Sequence, residues 1–284
     1  MSFLGVQLIT ALAFSALLFL LAIGFTLIFG MMNIVNLAHG SYFVVGSYVG
    51  LSVLVVSGNF YLAVLGGGLA LALLGIVQEI GLFRRFHGKP LDQVLLTLAM
   101  SLVFDQMILV IWGSQPQEMP PPGWLVGPLT ALGITFPKYR LALIVVGAVT
   151  ALAMWLLIEK TKIGAIVRAG VDNEEIARAM GIDVDKAFVF VFALGSFLAG
   201  MGGVLGAPML ELQPAMSSTV LPLAIVVVII GGPGSFAGAL AGSLFVGLVD
   251  SFGKAYFPQF SYFTLFVPMA LILAFRPQGI FGRA

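Results

Sequence analysis

The chain has 284 residues, of which 60% are hydrophobic and 9% charged, with a mean hydropathy of +1.12. A water-soluble domain carries about a quarter charged residues, so this composition excludes one and describes a multi-pass membrane protein. A formal net charge of +1 leaves no basic excess for nucleic acid, and the lack of cysteine excludes disulfides, thiol nucleophiles and thiolate metal sites.

A membrane span needs roughly 20 mostly apolar residues. In chain order the runs that qualify, or nearly do, are 6–29, 37–56, 61–83, 91–112, 141–158, 188–210, 220–230, 236–249 and 262–275. The expected fold is therefore an all-α polytopic membrane protein of eight or nine transmembrane helices, some of them broken. The run 220–230 is short enough to be a half-helix. The first 25 residues have no basic n-region and no small-residue cleavage site before a polar stretch, so the start reads as a retained span. Residues 1–284 form one transmembrane domain.

Lysine and arginine set the orientation. With residues 159–186 inside, Arg84, Arg85 and Lys89 and the closing Arg276 and Arg283 fall inside by parity, and ten of the thirteen cations lie there. Lys138, Arg140 and Lys254 are left outside. This places the N-terminus outside and the C-terminus in the cytoplasm. The longest outer segment, 113–138, contains Pro116, Pro120, Pro121, Pro122, Pro128 and Pro137 and reads as an irregular cap.

Residues 30–50 and 231–247 echo each other, each a helix-breaking turn followed by a span rich in small residues. Gly46 and Gly50 form one GxxxG pair; Gly234, Gly238 and Gly242 form two in tandem. Close helix packing is one use of such a pattern. A transport pathway built from broken helices is the other. Asn33, Asn36, His39 and Gly40 sit at the first break, where polar side chains must find partners because an unpaired polar group in hydrocarbon is costly. They serve either freed carbonyls or a solute. His39 and His87 are the only histidines, so no metal site is expected.

Glu79, Asp92 and Asp250 lie near span ends and are expected at the membrane interface. Asp105, beside Gln106, lies further into its span and is the better pathway candidate. Catalytic motifs are missing: the sequence has no G-x-S-x-G, H-E-x-x-H or phosphate loop, so no catalytic residue is assigned and any nucleotide hydrolysis belongs to another chain.

The loop of about 159–187 holds 11 of the 25 charged residues. It encloses a short helix, 172–181, with Asp172 as N-cap, Glu175 at capping-box spacing and Gly181 as the stop. Ile176, Ala177 and Met180 share one face, while Glu174, Glu175 and Arg178 point elsewhere. Such a helix can dock in a partner's groove or pack on its own membrane ends.

Three stretches together resemble the permease subunits of ABC importers for branched-chain amino acids. They are GFTLIFG with VNLAHGSYFVVGSY at 24–48, RAGVDNEEIARAMGIDVD at 168–185, and 230–247 with the closing RPQGIFGR at 276–283. Their order and spacing match across nearly the whole chain. The resemblance implies that the charged helix is a coupling helix seated in a cytoplasmic ATPase. It also implies a second homologous permease, two ATPase subunits that bind ATP and Mg, an extracytoplasmic solute-binding protein, and residence in the inner membrane of a bacterium or archaeon. The chain itself needs no cofactor on this reading. The family's Asn-x-Ala-His-Gly segment falls on Asn36, Ala38, His39 and Gly40, which would line or shape the gate. At Asp105 the sequence departs from the uncharged polar residue expected of close amino-acid transporters, and related permeases serve urea, short amides or aromatic acids. An ion-coupled carrier or channel working without an ATPase is the alternative, and it expects intramembrane ionisable partners.

Overall fold

The computed structural model describes residues 2–32, 35–131 and 133–282, and in these the chain is almost wholly helical. The long elements are α1 (Ser2–Met32), α2 (His39–Ser57), α3 (Phe60–Gly81), α4 (Pro90–Trp112) and α5 (Lys138–Lys160). Two short helices follow, α6 (Lys162–Asp172) and α7 (Glu174–Ala179), and then α8 (Val184–Gly206), α9 (Ser217–Gly231), α10 (Phe236–Tyr256) and α11 (Ser261–Phe275). Eight helical segments are long and apolar enough to cross a membrane, and α11 is a shorter apolar helix, in line with the eight or nine expected.

In lipid there is no hydrophobic gain from pressing helix on helix, so association depends on how closely backbones approach. Glycine sets that approach here. A Cβ on Gly67 of α3 would lie 2.6 Å from the Gly46 carbonyl oxygen of α2, and one on Gly200 of α8 would lie 2.7 Å from the Gly67 carbonyl oxygen. The three backbones meet with no room for a side chain. Gly50 faces Val204 and the Ala63 carbonyl, Gly238 meets Gly231, and Gly242 would carry its Cβ 2.6 Å from the Val227 carbonyl oxygen. Gly234 stands apart from this set: it lies in the turn ahead of α10 with φ +71°, pressed against Gly30 at the end of α1. The two turns of the sequence echo thus touch each other.

The turn between α9 and α10 is closed from a distance. A helix end leaves carbonyls without partners. Here the Ile280 N–H donates to the Ile230 carbonyl at 2.9 Å and the Phe281 N–H to the Gly231 carbonyl at 3.0 Å. Gly279 and Gly232, with φ of +79° and +101°, let the two strands of backbone pass.

Part of the proline-rich outer segment is regular. β1 (Pro128–Ala131) and β2 (Ile134–Pro137) form an antiparallel hairpin, with Pro128 opposite Pro137 at its open end and Gly133 at φ +77° near the turn. The prolines spare the middle rungs, where the hydroxyls of Thr130 and Thr135 pair across the strands at 2.9 Å. An irregular cap is therefore too coarse a description.

The three acids near span ends differ in burial. Asp92 is exposed at the start of α4, but Glu79 is fully buried and Asp250 nearly so. Asp250 accepts from Lys254 one turn on, at 2.7 Å. Neither Glu79 oxygen has a hydrogen-bond partner in the protein.

Candidate functional site

Two places gather the polar groups that composition makes scarce. The first is the start of α2. The Asn36 carbonyl accepts from His39 N–H at 3.1 Å, and its side-chain oxygen accepts from Ala38 N–H at 3.0 Å, so Asn36 closes the turn that opens the helix. Leu37 N–H donates to the Thr97 hydroxyl of α4 at 3.1 Å. His39 Nε2 donates to the Leu21 carbonyl of α1 at 3.0 Å, while its Nδ1 is left without a protein partner. Leu21 lies 11 residues before the end of α1, about 16 Å along its axis, so α2 begins against the inner part of α1 and not at its end. Gly40 brings α2 onto α9: a Cβ there would lie 2.9 Å from the Ser217 carbonyl oxygen. Asn33 lies outside the described residues.

Asp105 joins this break to a second helix start. Ser41 Oγ donates to Asp105 Oδ1 at 3.0 Å, and Ser217 Oγ donates to Oδ2 at 2.9 Å. With the Ser41 proton so used, the Ser101 hydroxyl is the donor in its 2.9 Å contact with Ser41. Ser41 is in the first turn of α2 and Ser217 is the first residue of α9. Asp105 itself stands 15 residues into α4, about 22 Å from its start, and α9 runs about 22 Å from Ser217 to its end. Among the described residues no Lys, Arg or His nitrogen lies within 4 Å of this carboxylate. The side chain is half-buried and lines a cavity of about 380 Å³ with Gln106, Leu109, Gln213, Pro214 and Ser218. Asn36 and His39 are fully buried and do not line it.

The second place is the charged loop. Asp172 is not the N-cap of α7; it is the last residue of α6. Asn173 takes the extended backbone, and its side-chain oxygen accepts from Ile176 N–H at 2.9 Å. Both residues can cap, and the choice follows from α6: Gly164, Val167 and Gly170 bury one face at helical spacing, which carries the helix through to 172. Glu174 and Glu175 then fill the first two helical positions, where negative charge suits the helix dipole. Gly181, at φ +82°, ends the helix as expected. Its N–H donates to Arg178 O at 2.9 Å and Ile182 N–H donates to Ala177 O at 3.1 Å, the paired bonds of a Schellman stop.

The expected apolar stripe divides in two. Ala177 is buried against the body, whereas Ile176 is 58% and Met180 76% exposed. Arg178 fixes the helix in place. Its guanidinium donates to Glu174 at 2.9 Å and to Asp185 of α8 at 2.6 Å, and these carboxylates, Asp185 first, push its pKa further above the ordinary value. Lys186 beside Asp183 holds that carboxyl below the ordinary carboxylate range. Sequence reasoning missed α6, which the 164, 167, 170 spacing could have revealed. It also missed Ser41, Ser101 and Ser217, for which the sequence carried no signal.

An apolar many-helix body with a buried polar helix break and a capped, charged short helix has the makings of a membrane transport component. Over residues 7–275 the chain matches the family described as branched-chain amino acid transport system, permease component, and it belongs to that family. It is 31% identical to the probable branched-chain amino acid transport permease LivH of Methanocaldococcus jannaschii, covering 96% of this chain and 90% of that one. It is 25% identical to the high-affinity branched-chain amino acid transport system permease BraD of Pseudomonas aeruginosa, covering 98% and 95%. A more distant likeness, also 25%, is to the ribose import permease RbsC of Escherichia coli, covering 89% and 79%. No solved structure matches the chain.

Proposed function

We propose that the chain is the membrane-spanning subunit of an ATP-driven importer and forms half of the pathway for branched-chain or related amino acids. A second, homologous permease supplies the other half. Two ATPase subunits, which hold the ATP and Mg, push from the cytoplasm, and an extracytoplasmic binding protein delivers the solute. The setting is the inner membrane of a bacterium or archaeon, with the cation-rich end inside.

The observation that carries this reading is the exposure of Ile176 and Met180 on a helix capped at both ends and clamped to α8. Exposed apolar side chains on a rigid, charged helix suit a groove in a partner. Because Arg178 links α7 to Asp185, a push on α7 passes directly to a membrane-spanning helix. ATP-driven closure of the ATPases moves α7 as a rigid body, and the two permeases rock to switch access to a central cavity.

The test is uptake and co-purification in cells carrying the complete importer. Met180→Asp, or Glu175 and Arg178 replaced together by alanine, should cut amino-acid uptake about tenfold or more, as loss of a contact hot spot does, while the permease stays in the membrane. Normal uptake in these variants, or uptake by the wild-type chain with no ATPase bound, overturns the proposal.

A further inference from the structure

The carboxylate of Asp105 is hard to explain as a fastening alone. A neutral acceptor would tie α4 to Ser41 and Ser217 as well, without the cost of a charge inside a membrane span. Each carboxylate oxygen accepts one hydroxyl bond and has capacity for more, and the side chain opens onto the cavity beside α9.

The charges around it are separated rather than missing. α2 begins at this point, and α9 is led in by a 3-10 turn at Pro214–Met216 whose first residues line the cavity; a helix start carries roughly half a positive charge. Two such ends offset the one full negative charge, so the site is close to neutral as a whole while keeping a negative pole and positive poles a few ångströms apart. A lone cation or a lone anion gains little from that arrangement. A solute carrying both charges gains at each pole. The cavity walls suit the rest of such a molecule, with Leu109, Pro116, Pro214 and Ala215 apolar beside polar Gln106 and Gln213.

We propose that Asp105 is a solute-binding residue that receives the ammonium group of a zwitterionic α-amino acid, whose carboxylate turns to the α9 start. This rests on the importer reading above and narrows it, setting amino acids apart from urea, sugars and aromatic acids.

The experiment uses the complete importer in proteoliposomes, with L-leucine, urea and D-ribose as probes. The wild type should take up leucine and neither of the others. Asp105→Asn keeps one acceptor oxygen for a serine, offers an amide N–H to the other hydroxyl, which can turn to accept it, and removes the charge; it should lower leucine uptake about tenfold to a hundredfold, as expected when one partner of a close charge pair is lost. Asp105→Glu should restore uptake to within about threefold of wild type, a loss of about 0.7 kcal/mol. Both variants should reach the membrane at normal levels and unfold at the normal temperature. Wild-type uptake in Asp105→Asn overturns the proposal, as does an equal loss in Asp105→Glu. So does a loss explained by a lowered unfolding temperature, which would mark a fastening. A wild-type importer that moves urea or ribose and not leucine overturns the solute class in both readings and leaves ATP-driven import standing.

Discussion

The contact of α2, α3 and α8 and the α6–α7 segment lie in one chain, yet their means of cohesion are opposite. In the first, Gly46, Gly67 and Gly200 bring three backbones together with no charge involved. In the second, Asn173, Arg178 and Gly181 hold a six-residue helix by caps and ion pairs at the surface, and Asp183 caps the start of α8 that follows. The difference is one of tolerance. A close-packed interior has nowhere to put an added methyl group, while an exposed ion pair adds little to stability because water screens it. The α6–α7 segment can therefore lose a contact at little cost to the fold, and the glycine contact cannot.

Gly200→Val should show the largest effect. Overpacking costs about 1–3 kcal/mol in soluble cores and more where backbone is in the way, so the variant should lose several degrees of unfolding temperature or fail to accumulate in membranes. Fluorescence-detected gel filtration after heating measures this, and a wild-type profile would break the contrast. Asn173→Ala comes next. Losing a helix cap costs about 1 kcal/mol, confined here to α7, so hydrogen exchange should speed up at 174–181 while α8 stays protected.

Arg178→Met should change the unfolding temperature little, since exposed pairs contribute about 0–1 kcal/mol, although replacing Glu175 and Arg178 together by alanine is expected to cut uptake about tenfold or more. A large stability loss would show the α6–α7 segment to be part of the core. The smallest effect concerns pH. Asp183 has its pKa lowered by Lys186, so its contribution is present above the ordinary carboxylate value and is lost as pH falls through the lowered folded value. Acidification should loosen the start of α8 to proteolysis before the glycine contact responds, and Asp183→Asn should remove that pH step.

The spans, the short charged helix and its stop at Gly181 could be read from the chain because each is written locally, in an apolar run, a cluster of charge or a glycine. The N-cap was misplaced by one residue because Asp172 and Asn173 are both good caps and only the buried face of α6 decides between them. The surroundings of Asp105 were hidden for another reason. Ser41 and Ser217 lie far from it along the chain, and nothing in their local sequence separates them from any other small polar residue in a span. Partnerships across the fold become visible only when helix depth and rotation are fixed.

The amides of Ile280 and Phe281 occupy the carbonyls at the end of α9. The elbow between α9 and α10 thus borrows its closure from residues synthesised long after it. A chain cut before residue 280 would leave the Ile230 and Gly231 carbonyls without these donors, so the last few residues are part of the elbow's own construction.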